Sequence, residues 1–204
     1  MTSLRILNLG TNLFSGTLSS SLSNLSNLAQ LLLDTNALTG TITNELSVGM
    51  RSLRVLDLSY NRIAGDFQTV IDGLDNLIVM FMDGNEFSGQ LNGPQLTSYT
   101  ELATMSVAFN NLSGTIPSEL GSLNSLGSLI LDSNKLTGTI PAALATSVAP
   151  LRSIYLDNNK LTGSVPESLC QLSSLKEILV DCDIPCSCES CSDCFVLRNI
   201  FNHS

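Results

Sequence analysis

LGSLILDSNKLTGTIPAAL, residues Leu126 to Leu144, decides the fold. Its leucines stand at Leu126, Leu129 and Leu131, and Asn134, Leu136, Gly138, Ile140, Pro141 and Leu144 follow. A helix would repeat its apolar residues at three and four positions, and a half-buried strand would alternate throughout. Here a brief alternation gives way to an asparagine and then to a glycine-marked turn. The order recurs along the chain around Asn12, Asn36, Asn61, Asn85, Asn110, Asn134 and Asn159, and a shortened last copy carries Asp183 instead. Self-similarity at a fixed period of this length is the signature of a solenoid.

The asparagines step alternately by 24 and 25 residues. The extra residue falls between Leu46 and Leu53, between Leu91 and Leu96, and between Leu144 and Leu151. All three places lie outside the strand and the Asn turn, so strand register survives them. Each leucine pair points inward from a short strand while its neighbours point outward. One coil cannot bury that face alone, whereas stacked coils make a continuous core and a parallel sheet. The seven asparagines are expected inside, at the bend after the strand, where one amide both donates and accepts. A buried backbone group left unpaired costs roughly 1–3 kcal/mol, which explains a polar residue recurring among leucines.

Composition agrees. The 204 residues are 43% hydrophobic and 13% charged, with no Trp, so Leu, Ile, Val and Met must build the core. The net charge of −9 offers no basic patch to displace counterions from phosphates, which argues against nucleic acid. No apolar run approaches the roughly 18 to 20 residues of a membrane span. Cys170, Cys182, Cys186, Cys188, Cys191 and Cys194 all lie near the end of the chain. Such an even, clustered set favours a disulfide-stapled cap and an oxidising compartment, although the spacing of Cys188, Cys191 and Cys194 also brings zinc into view. Six cysteines allow 15 pairings.

The N-x-L-x-G-x-I-P core of each copy resembles the plant-type leucine-rich repeat of receptor-kinase ectodomains, receptor-like proteins and inhibitors of wall-degrading enzymes. The resemblance covers Leu4 to about Asp183. It implies a right-handed leucine-rich repeat solenoid of the α/β horseshoe class, mostly parallel sheet with an irregular or 3-10 convex side. It divides the chain into seven repeats over 1–170 and an eighth partial repeat with a cysteine-rich cap over 171–204. Coils one to four carry Ser19, Thr43, Gln68 and Asn92 in place of the family's proline, which puts the lateral strand in doubt there. The segment from Cys170 onward resembles the family's carboxy-terminal cap, and a Cys170–Cys182 bridge would close the end of the core. Ectodomains of this kind begin with a polar, cysteine-bearing cap. Leu4 already belongs to a strand, so the chain is expected to be a fragment or an incomplete gene model, its missing start holding the signal peptide and further repeats and any anchor lying in missing sequence.

Partners are sought on the outward, concave face of the strands. One column reads Asn8, Leu32, Asp57, Phe81, Ser106, Ile130, Tyr155, Leu179, and the next contains Asp34, Asp83, Asp132, Asp157 and Asp181. Tyr60 and Phe109 stand beside them. Leu32, Phe81, Ile130, Tyr155, Tyr60 and Phe109 are candidate anchors, with the aspartates steering a basic protein, peptide or glycan. The competing reading gives those aspartates a local role, hydrogen-bonding the turn. Stacked carboxylates at about 4.8 Å should raise their pKa values or attract a cation such as calcium; no resident metal or cofactor is expected. His203 is the only histidine, and no serine has a base placed beside it, so the chain is expected not to be an enzyme. The sequons at Asn24, Asn111 and Asn202 are glycosylation candidates off the concave face. The leading reading is the extracellular, non-catalytic recognition part of a cell-surface receptor-like or secreted protein. A structural or adhesive wall protein is the alternative, and an intracellular scaffold the weakest.

Overall fold

The computed structural model describes residues 3–146, 151–186 and 188. Its spine is an eight-stranded parallel sheet whose strands lie side by side in sequence order. They are Ile6–Asn8, Gln30–Leu32, Val55–Asp57, Val79–Phe81, Thr104–Ser106, Ser128–Ile130, Ser153–Tyr155 and Glu177–Leu179. Parallel neighbours need a crossover, and the remainder of each coil supplies it. Register holds across the extra residues: Leu129 stands opposite Met105 on one side and Ile154 on the other. The inward column Leu31, Leu56, Met80, Met105, Leu129, Ile154 and Ile178 is at most 2% exposed. The chain is a solenoid of stacked coils, and its core is one continuous row rather than a globule's centre.

The lateral strand departs from expectation. A five-stranded parallel sheet links Ser15–Thr17, Ala37–Thr41, Arg62–Asp66, Glu86–Gln90 and Asn111–Ser113, the first four from coils without proline. Coils six and seven, which carry Pro141 and Pro166, keep only Thr137–Gly138 and Lys160–Leu161. Proline is not the only control on length: coil one, without it, and coil five, with Pro117, both have three-residue strands at the two edges of this sheet, whereas coils two to four between them have five. Hydroxyls strengthen this ladder. Ser88, Ser113, Thr137 and Thr162 each donate to the glycine carbonyl of the coil before, at 3.1–3.3 Å.

The convex side carries short helices, 3-10 at Ser20–Asn24, Ser118–Ser122 and Ala142–Ala145, and α at Asn44–Gly49, Phe67–Ile71, Gly93–Leu96 and Glu167–Cys170. Asp66 caps one of them by accepting from the Thr69 amide at 3.1 Å. Tyr99, fully buried, donates its hydroxyl to the Ile71 carbonyl, which satisfies the one polar atom on a core ring. In coil one, packed against coil two alone among the described residues, Leu4, Leu7 and Leu9 are only half-buried and Leu13 is 95% exposed.

Candidate functional site: the outward face of the parallel sheet

The site's rigidity comes from the asparagines beneath it. Asn134 donates to the carbonyls of Leu131 and Asp132 in its own coil and of Val107 in the preceding one, at 2.9–3.2 Å. Its Oδ1 accepts the Leu112 amide at 2.9 Å. Asn36, Asn61, Asn85, Asn110 and Asn159 each reach back to the preceding coil in the same way. Asn61, Asn85, Asn110 and Asn134 are buried. Asn36 and Asn159 are half-buried, and Asn12 is exposed, its side-chain amide donating to Leu9 and Gly10 of its own coil. An interior position for every asparagine therefore does not hold at Asn12, because only a preceding coil would cover it.

Above this ladder the outward columns separate into used and accessible groups. Leu32, Phe81, Ile130 and Tyr155 are half-buried on the face. They do not form one stripe. Asp57 separates Leu32 from Phe81, and Ser106, buried and donating to Asp83 Oδ1 at 2.6 Å, separates Phe81 from Ile130, so only Ile130 and Tyr155 adjoin. Tyr155 donates to Glu177 Oε2 at 2.5 Å; that bond, with burial, pushes the phenol up to about 12.

Several aspartates serve the backbone. Asp83 Oδ1 also accepts the Ala108 amide at 2.7 Å. Asp181 accepts the amides of Asn158 and Asn159 at 2.8 and 3.2 Å, bonds that in coil five go from Phe109 and Asn110 to the next coil's backbone carbonyls. Asp34 accepts from the Thr11 hydroxyl at 3.5 Å and lies over Gly10, where a Cβ would come within 2.1 Å of its Oδ1. Asp57 accepts from the Ser59 amide at 3.0 Å. Burial pushes Asp57 and Asp83 above the usual carboxylate range against these hydrogen bonds. Asp132 is pushed up to about 6 by burial and then by the charge of Asp157 in the next coil. Among the described residues no three His, Cys, Asp or Glu side chains converge as a metal site.

A feature the leucine pattern did not reveal lies where the strand turns toward each asparagine. Thr11, Thr35, Tyr60, Phe109, Ser133 and Asn158 all have φ of 52 to 56°, with Gly84 at 62° in the same place. Gly84 and Asn158, residue types that tolerate the left-handed region, were the available signal. Tyr60 and Phe109 are outliers there, and they are 60% and 56% exposed.

At the end of the chain Cys170 is bridged to Cys188, with Cα atoms 4.9 Å apart, and not to Cys182, which is exposed. Cys186 is also disulfide-bonded. Cys191, Cys194 and the sequon at Asn202 lie outside the described residues. Asn24 ends the first 3-10 turn and is exposed, and Asn111 starts a lateral strand, so both lie off the concave face. Among the described residues no helix is long and apolar enough to cross a membrane.

The Leucine Rich Repeat family profile matches residues 3–25, 52–74, 101–123 and 150–172. No curated protein shows significant similarity to the chain. Among solved structures, the plant peptide hormone receptor RGFR1 in complex with RGF2 is 31% identical over 88% of this chain and 28% of its own, with a TM-score of 0.83. The PEPR1–AtPEP1 complex is 33% identical over 90% of this chain and 26% of its own, TM-score 0.77. The ectodomain of the Arabidopsis receptor kinase HAESA with an extended IDA peptide hormone is 29% identical over 88% of this chain and 30% of its own, TM-score 0.77. The chain thus spans less than a third of the length of each of these three.

Proposed function

Because the chain is a leucine-rich repeat protein similar to plant receptor-kinase ectodomains, we propose that it is a non-catalytic recognition module that holds an extended peptide or protein segment across its concave sheet. The observation that carries this reading is the division of labour on the strands. Inward side chains are consumed by the core and asparagines by the ladder, while Phe81, Ile130 and Tyr155 stay half-open on strands that the ladder ties together. A rigid face with apolar anchors and carboxylates between them suits a partner that brings apolar and basic side chains. The peptide-bound receptors among its structural neighbours support the same reading. The disulfide-bonded end and the sequons Asn24 and Asn111, clear of that face, favour a secreted or cell-surface setting.

The test uses a peptide selected from a random displayed library on the full chain. Replacing Phe81, Ile130 and Tyr155 together by Ser should weaken its binding at least tenfold while the far-UV spectrum is kept. Undiminished binding by the folded variant overturns the reading. An adhesive wall protein would instead show self-association that survives the triple change.

A further inference from the structure

Tyr60, Gly84 and Phe109 occupy the same position in three successive coils, stitched by backbone bonds from Tyr60 N to Asp83 O at 2.7 Å and from Gly84 N to Ala108 O at 2.9 Å. Parallel strands are about 4.8 Å apart, so the two aromatic residues stand about 10 Å from each other with a glycine between. The absence of a side chain there has a consequence. The Tyr60 ring leans over coil four, and a Cβ on Gly84 would meet its Cδ1 at 2.8 Å. Tyr60 and Phe109 thus flank a notch that coil four leaves without a side chain and that the Tyr60 ring partly covers.

The residue before the glycine is Asp83. Both of its hydrogen bonds, from Ser106 Oγ and Ala108 N, go to Oδ1, which pins the carboxylate and leaves Oδ2 without a bond among the described residues. Burial outweighs these two hydrogen bonds and raises its pKa, so the ionised form is only partly compensated. The Arg54–Glu101 ion pair, at 2.6 Å, lies at the opposite strand end, away from the notch. Tyr60 and Phe109 gain nothing obvious for folding: both expose most of a large ring and both hold a backbone conformation that bulky residues avoid. The same φ recurs at this place from Thr11 to Asn158, so the turn is a property of the repeat, and only the two exposed rings set coils three and five apart.

We infer that the Tyr60–Gly84–Phe109 notch, with Asp83 at its base, receives an arginine side chain of the partner peptide. A guanidinium is the group that fits: it stacks on aromatic faces, whose quadrupole is negative, and its fork donates to a carboxylate. The protein's net charge of −9 steers such a partner in. This inference rests on the recognition reading above but names a subsite apart from Phe81, Ile130 and Tyr155.

The experiment titrates the full chain with the blocked peptide Gly-Gly-Arg-Gly-Gly and with its citrulline counterpart, following the ring carbon–proton shifts of Tyr60 and Phe109. The arginine peptide should move both rings saturably and the neutral citrulline peptide neither. Phe109→Leu should weaken binding about two- to fivefold, and Gly84→Ala, which displaces Tyr60, should lower it further. Absent shifts, or equal shifts with citrulline, overturn the inference. The two readings fail separately. If the library peptide is lost with Phe81, Ile130 and Tyr155 while the rings ignore arginine, only the notch falls. If the rings respond and the triple variant still binds the library peptide, the sheet-anchor reading falls instead.

Discussion

Asn134 donates its side-chain amide to the carbonyl of Val107, 27 residues earlier, at 2.9 Å, and so closes coil five with an atom of coil six. Its Oδ1 takes the Leu112 amide of the same earlier coil. One buried side chain therefore satisfies backbone groups on two coils. Asn134→Leu should destabilise the domain by about 1–3 kcal/mol in chemical denaturation, because apolar surface replaces partners for buried polar groups. Asn12→Leu, at an exposed position, should cost under about 0.5 kcal/mol. Equal costs would mean that the ladder does not set stability.

Coils touch closely enough on the convex side to exclude a methyl group. A Cβ on Gly121 would lie 2.1 Å from the Ala143 carbonyl oxygen, which is backbone and cannot swing away. Gly121→Ala should therefore cost about 1–3 kcal/mol by overpacking. A thermal melt unchanged from the wild type would show that coils five and six can slide apart at no cost.

The aspartates set a pH dependence opposite to that of salt-bridged carboxylates. Asp132 rises from 3.8 to about 6 on folding, through burial and then Asp157, and Asp57 and Asp83 move the same way. A raised carboxyl means that the folded state binds the extra proton, so its stabilising contribution is full below about pH 4 and is lost as pH climbs through 6. Denaturation at pH 5 should show the domain more stable than at pH 7, by on the order of 1 kcal/mol after allowing for solvent screening. Asp132→Asn should flatten that difference. A rise in stability from pH 5 to pH 7 that persists in Asp132→Asn would contradict it.

The Cys170–Cys188 bridge closes an 18-residue separation around the last strand. Cys170→Ser should lower stability by about 2–4 kcal/mol. Amide exchange should rise first in Glu177–Leu179 and leave Ser128–Ile130 protected, since each coil leans only on its neighbours. Uniform loss of protection along the sheet would show that the solenoid melts as one unit.

The sequence of Leu126–Leu144 determined a good deal by itself. Leu129 and Leu131 inward, Asn134 at the bend, Ser128, Ile130 and Asp132 outward, and the stacking direction all follow from a period that only a solenoid satisfies. These are properties of one coil repeated. What the tertiary structure decided are relations between coils. Ser106 is buried because Asp83 of the coil before reaches it, and Asp181 is engaged because it stands in for carbonyls at the end of the ladder. Coils two to four have the longer lateral strands, and each of these is paired with a neighbour on both sides. Cys170 pairs with Cys188 because the chain after the last strand turns back over it. Tyr60 and Phe109 flank a notch because Gly84 lies between them, 24 and 25 residues away along the chain. Periodicity specifies how a residue sits in its own coil. Its accessibility to a partner depends on the side chain that the neighbouring coil places beside it.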